Sequence, residues 1–265
     1  IDNSALDQYY IGNPDLDPEY AQSASLNFHY YSMFSNISLF AGIQSSYTKN
    51  RISNSIVSDT SIIQTFMPVN NGNGENLMAH ASFSSPLKIL KLKYNISTQS
   101  MLDRGNFLYN QNLDKRLSFI QTLDANIENR KKEHANIKLG TRLNYNSTSY
   151  ASNTNLNNSY LMPEYYLDLT IDFFKTWTVA SYVTYITYPK EMLTQQQESI
   201  IWEAYLAKSI MKRKALIKLK VYDILDQNSG IQYYNQYDYS AWERSNTIGR
   251  YFMLSFSYSI SAFGK

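Results

Sequence analysis

The sequence predicts an all-β chain, a transmembrane antiparallel β-barrel of the outer-membrane type with about eleven strands. Three observations carry that expectation. Apolar and polar residues alternate with a period of two along segment after segment. The connections between segments alternate between short and long. The chain is also rich in tyrosine yet poor in charge, with 24 Tyr among 265 residues and only 17% charged residues.

Composition narrows the class first. Soluble domains carry about a quarter charged residues, whereas this chain reaches a mean hydropathy of −0.41 through Ser, Asn, Thr and Gln instead. A wall with one face in lipid and the other in water averages to such a value, because each strand contributes to both faces. No apolar run approaches the roughly 18 to 20 residues a spanning helix requires. The net charge of +2 supplies no basic stripe to track phosphates, so nucleic acid is not an expected partner. Cysteine is absent, which removes disulfides and thiolate metal sites. The chain opens at Ile1 without a signal segment, and an exported protein is therefore expected to start after cleavage or inside a longer precursor. Residues 1–265 read as a single β-barrel segment, without a plug or signal peptide.

The strands follow in order. Ala24, Leu26, Phe28 and Tyr30 alternate with Ser23, Ser25, Asn27 and His29; then come Ile37, Leu39, Ala41 and Ile43. Leu77, Ala79, Ala81 and Phe83 form the third run. In the fourth, Leu90, Leu92, Tyr94 and Ile96 face away from Lys91, Lys93 and Asn95. Runs beginning at Leu117, Ile137, Tyr165 and Trp177 continue the pattern, the third with Asp168 and Asp172 opposite its apolar side. Ile200 to Leu206, Ala215 to Val221 and Ile248 to Tyr258 complete it. The gaps are two or four and never three, which excludes helices.

Short links are expected near Met33–Asn36, Ser85–Pro86, Glu128–Lys132, Lys175–Thr176 and Met211–Lys214. Long ones are expected near Arg51–Glu75, Gln99–Lys115, Asn146–Pro163, Pro189–Gln197 and Asp223–Asn246. Short periplasmic turns opposite long extracellular loops are the asymmetry of bacterial outer-membrane barrels. Tyr30, Tyr31, Tyr145, Trp177, Tyr185 and Tyr188 near strand ends fit aromatic belts at the headgroups. Aromatics favour strands in any case.

Three segments resemble a known family. Asn13-Pro14-Asp15-Leu16-Asp17-Pro18-Glu19 resembles the "NP-x-L-x-PE" extracellular loop of TonB-dependent receptors. Asp223-Ile224-Leu225-Asp226-Gln227-Asn228 is similar to the "DLLNQN" loop entry of receptor-like barrels from Bacteroidetes, and Ser245 to Tyr258 resembles their last strand. The resemblance implies the C-terminal half of a barrel with about 22 strands, filled by an N-terminal plug. It implies import or binding of a substrate across the outer membrane, with loops outside and the C-terminus in the periplasm. Phe252, Leu254, Phe256 and Tyr258 are then the C-terminal assembly strand. Outer-membrane lipid and the remaining strands and plug, from the same or another chain, are the implied partners. The TonB system, the barrel-assembly machinery and a surface lipoprotein join them as candidates. No TonB box or upstream strand is present to map the coupling parts, and Gly264 and Lys265 after Phe263 depart slightly from the family's end.

Candidate chemistry is sparse, and no catalytic residue, metal or cofactor is assigned. His80 and Ser82 share a face, but two residues along one strand place them about 6 to 7 Å apart. His29 and His134 have no acidic or cysteine companions at ligand spacing. Asp168 and Asp172 stand about 13 Å apart, a distance that favours lumen lining over acid–base work. Asp223, Asp226, Asp238 and Glu243 share one loop and offer oxygens to a cation or simply to solvent. Arg130-Lys131-Lys132 and Lys212-Arg213-Lys214 sit in turns where they attract anionic headgroups or remain solvated. The alternatives to a receptor-like barrel are a structural or client subunit of an outer-membrane complex and, least favoured, a small stand-alone barrel enzyme.

Overall fold

The computed structural model describes residues 8–58, 64–193, 197–228, 230–235, 240–245 and 248–260. The strands are β1 (Gln8–Tyr10), β2 (Tyr20–Ser32), β3 (Ile37–Lys49), β4 (Ile52–Ser58), β5 (Gln64–Asn70), β6 (Gly74–Leu87), β7 (Leu92–Tyr109) and β8 (Asn112–Asn129). They continue with β9 (Ala135–Tyr150), β10 (Asn158–Phe173), β11 (Trp177–Tyr188), β12 (Gln197–Ile210), β13 (Ala215–Tyr222), β14 (Ile231–Asn235), β15 (Ser240–Arg244) and β16 (Tyr251–Tyr258). Fourteen strands join one sheet, and β14 and β15 form a separate hairpin. Setting aside the short β1, β4 and β5, the remaining eleven run β2–β3–β6–β7–β8–β9–β10–β11–β12–β13–β16, each antiparallel to the next. Among the described residues, the outer edges of β2 and β16 have no partner strand.

The register sorts the side chains. Directly opposed residues share a face, so Ile127, Leu139, Leu167, Val183 and Trp202 form one cross-strand row. Leu206, Leu219 and Leu254 form another, and Leu26 lines up with Ile43 and Ala79. These residues are not buried by the chain itself: Leu26 is 71% exposed and Leu254 73%. The accessible surface is 17878 Å², against about 12,000 Å² for a compact soluble chain of this mass. A continuous apolar face of this extent requires another apolar phase against it. On β8 the apolar run from Leu117 to Ile127 measures about 25 Å along the normal for a strand tilted about 40°, the thickness of a barrel's lipid-facing band.

Polar groups on the apolar face pair with one another. Gln121 Nε2 donates to Thr98 Oγ1 at 2.5 Å, Ser100 donates to Gln121 Oε1, and Trp202 Nε1 donates to Ser181 Oγ at 2.9 Å. Such pairing is what hydrocarbon demands, since an orphan polar group there costs several kcal/mol.

The two ends differ. One carries the short turns 33–36, 88–91, 130–134, 174–176 and 211–214. The other carries the longer connections 50–73, 151–157, 189–196 and 223–250. Three expectations need correction. Residues 99–115 are not a loop: β7 and β8 stay paired out to Tyr109 and Asn112, across a two-residue turn in which Asn110 and Gln111 both have positive φ (45° and 64°). Left-handed pairs of this kind match the twist of the flanking strands. Ser85 and Pro86 are not a turn either, since they pair with Tyr94 and Lys93 inside the β6–β7 ladder. Pro163 likewise lies within β10, opposite Leu143.

Candidate functional site

The face opposite the apolar one carries most of the paired charges, and register places them. Asp124, Arg142 and Glu164 are direct cross-strand partners on β8, β9 and β10. Arg142 therefore bridges two carboxylates, at 3.2 Å to Asp124 and 3.5 Å to Glu164. Thr122 Oγ1 donates to Asn144 Oδ1 at 3.1 Å, and Asn144 Nδ2 donates to Glu164 Oε1 at 3.0 Å. One step toward the short-turn end the row is Asn126, Gly140 and Tyr166. Gly140 is needed there. A Cβ would stand 2.4 Å from Tyr166 Cζ, so only glycine lets the ring lie across β9 and its hydroxyl donate to Asp124 at 2.8 Å. Lys138 lies 5.0 Å from the centroid of that ring. The next row, Lys93, Glu128, Lys138 and Asp168, alternates in sign, and its two outer pairs are in contact, at 3.6 Å for Lys93–Glu128 and 3.9 Å for Lys138–Asp168. Lys220 and Glu203 pair at 2.6 Å further along the same face. The result is a polar wall whose charges are matched across strands, suited to contacting a hydrated surface or a polar solute.

The residues singled out in the sequence fall as follows. His80 and Ser82 share this face on β6, and no hydrogen bond joins them; His80 instead packs over Gly42, where a Cβ would be 2.3 Å from its ring. His29 stacks on Phe40 at 4.4 Å. His134 lines a cavity of about 670 Å³ at the short-turn end together with Asp172, Trp177 and Arg213. Asp168 is paired with Lys138, and Asp172 accepts from Thr178 Oγ1. In the first basic turn, Arg130 and Lys132 line a cavity with Ser38, Ser84 and Lys93 of the polar face, and Lys132 pairs with Glu128 at 2.6 Å. Among the proposed belt residues, Tyr31 also lines that polar-face cavity.

Two of the resemblance motifs prove to be latches. Asn13 Oδ1 accepts from the Asp15 amide while its Nδ2 donates to the Pro68 carbonyl at 3.0 Å. Asp17 and Asn70 bond reciprocally at 2.8 and 2.9 Å, and Glu19 accepts from the Ile52 amide. The segment 12–19 is thereby fastened to the β4–β5 hairpin. At the other motif, Asp223 is 4% exposed and accepts from the Gln227 and Asn228 amides. Asp226 accepts from the Arg250 amide at 2.9 Å, and Gln227 Oε1 accepts from the Ile200 amide. With both Asp223 oxygens and Asp226 Oδ1 accepting backbone amides, the two residues form a turn lock on the entry to β16. Asp238 lies outside the described residues, and the side chain of Glu243 does as well.

Phe252, Leu254, Phe256 and Tyr258 stand on the apolar face of β16, opposite Val221, Leu219, Ile217 and Ala215 of β13. The pattern of the outer membrane protein beta-barrel family matches residues 2–106 and 94–258. Together the two matches span nearly the whole chain. The chain belongs to that family. Its outer-membrane location and barrel architecture follow from the membership together with the fourteen-stranded sheet. No curated protein matches it. In an outer-membrane barrel the apolar face is the lipid face and the polar wall looks into the lumen.

Sequence reading missed the Asp124–Arg142–Glu164 row, because register depends on where each turn falls. It also missed Asp114, 2% exposed, which accepts from the amides of Ser152 (2.9 Å) and Asn153 (3.2 Å) and pins the 151–157 connection. Burial pushes its carboxyl up, but the Ser152, Lys115 and Asn153 amides outweigh that and hold it below the ordinary 3.8.

Proposed function

We propose that the chain forms roughly half the wall of a TonB-dependent receptor-like barrel of about 22 strands that binds or imports a substrate across the outer membrane. The observation that carries this reading is the open eleven-strand meander whose outer edges on β2 and β16 have no partner among the described residues. Unpaired edge groups cost several kcal/mol each in hydrocarbon, so the native barrel closes through further strands. The latch motifs around Asn13 and Asp223 support the receptor-like assignment, since the first carries the likeness to TonB-dependent receptors and the second that to receptor-like barrels from Bacteroidetes. In this reading the longer connections face outward, the short turns face the periplasm, and the lumen-facing wall meets a plug. Phe252, Leu254, Phe256 and Tyr258 present the closing strand to the barrel-assembly machinery, and TonB and a surface lipoprotein are the coupling and capture partners. The chain itself contributes no catalytic chemistry.

The same edges favour one second reading, a structural or client subunit whose barrel another chain completes. Intact mass of the native protein from outer membranes separates the two. A mass well above 30.7 kDa supports the receptor reading. A mass of 30.7 kDa sinks the single-chain half-barrel and turns the search to a partner chain.

A further inference from the structure

At the long-loop end, the β4–β5 hairpin and the projecting ends of β7 and β8 enclose a cavity of about 250 Å³. Two guanidiniums line it, Arg51 and Arg116, and both lean on a single carboxylate. Arg51 Nη1 lies 3.4 Å from Asp103 Oδ2 and Arg116 Nη2 lies 3.2 Å from Asp103 Oδ1. Each guanidinium has five N–H donors, and these contacts occupy one nitrogen of each. Arg51 is seated by glycines: a Cβ at Gly74 would be 2.4 Å from its Cδ, and one at Gly105 2.7 Å from its Nη1. Phe66 and Phe107 supply apolar walls to the same cavity, and Asn54 adds an amide. The charged lining sums to one excess positive charge, and both cations are about one-third to two-fifths exposed, within reach of a solute.

We propose that this cavity is a binding site for a small monocarboxylate with an apolar, ring-sized body. The planar guanidinium fork matches a carboxylate in two parallel bonds, the single excess charge is balanced by one anionic group, and the rings take the apolar end. A volume below that of drug-sized pockets sets the size class. The proposal rests on the receptor-like reading, because it names the kind of solute such a barrel captures at its mouth.

The test is calorimetric titration of the full native protein in detergent with phenylacetate, its neutral analogue phenylacetamide, and inorganic phosphate. Saturable binding of phenylacetate that weakens with salt, with neither phenylacetamide nor phosphate binding comparably, is expected. Arg116→Gln is expected to weaken it by about tenfold or more, the worth of one charged hydrogen bond. Asp103→Asn frees both guanidiniums and is expected to tighten binding, which a merely structural role for the trio does not produce. Heat-modifiable migration on gels confirms that each variant is a folded barrel. Equal binding of the amide, equal binding of phosphate, no change in either folded variant, or no saturable phenylacetate binding overturns the proposal. Those failures leave the intact mass untouched, so they are distinguishable from failure of the receptor-like reading.

Discussion

At the level of single residues, space matters as much as charge. Gly140 has no turn to make; it is glycine because the Tyr166 ring crosses β9 at that point. Gly140→Ala puts a methyl 2.4 Å from Tyr166 Cζ and 2.8 Å from Asn126 Cβ, so the ring must leave Asp124. A cost of about 1–3 kcal/mol is expected from the overpacking, whereas Tyr166→Phe, which only deletes the hydroxyl, should cost about 1 kcal/mol. Urea midpoints of the reconstituted native protein check the order. Asp114 gives a pH prediction. Its folded carboxyl titrates below the ordinary value, so its stabilising effect is complete above the unfolded pKa, about 3.9, and is lost as pH falls through the lower folded value. Hydrogen-exchange protection at the Ser152 and Asn153 amides should therefore hold from neutral pH to near 4 and decay below it. In Asp114→Asn it should be weak throughout that range.

At the level of elements, alternation marks strands well and their ends poorly. Two prolines show why. Pro86 suggested a turn, yet β3 pairs with β6 only as far as Ser84, so the missing N–H of Pro86 leaves no gap in that ladder. Pro163 stands one residue beyond the reach of β11, whose pairing with β10 starts at Glu164. Both are edge positions inside a long strand, where proline is tolerated. Asn110–Gln111 carries neither Gly nor Pro, and its tight turn was consequently read as the middle of a loop. The outward β4–β5 hairpin was invisible for another reason: its attachments are polar side chains from distant segments. Asn70 alone accepts from Asp17 and donates to the Asp17 and Asn50 carbonyls. Asn70→Ala should raise amide exchange across β4 and β5 by about tenfold or more while leaving β8–β9 unchanged. Equal exchange in both proteins would show that the remaining attachments, among them the ladders with β1 and β7 and the Asn13 and Glu19 bonds, hold the hairpin without Asn70.

At the level of the whole molecule, the fold class was legible because a two-faced sheet imprints its period on every strand, whereas the polar wall depends on alignment between strands. Asp124, Arg142 and Glu164 are separated by 18 and 22 positions along the chain, and only correct placement of both connections between β8, β9 and β10 makes them neighbours. The lipid-facing assignment can be tested by depth. Leu143 lies on the apolar face near the centre of the band, paired with Leu123 and Pro163, while Ile137 lies two residues from the short-turn end of β9. In lipid, an arginine at the midplane of a barrel costs about 2–4 kcal/mol and one near the interface about 0–1. Leu143→Arg should therefore destabilise the native protein in vesicles far more than Ile137→Arg does. Asn144→Arg, one residue away but facing the lumen, should escape that penalty, because its side chain meets water. Equal costs for Leu143→Arg and Asn144→Arg would mean that the two faces see the same medium. The apolar rows would then be facing protein instead of lipid.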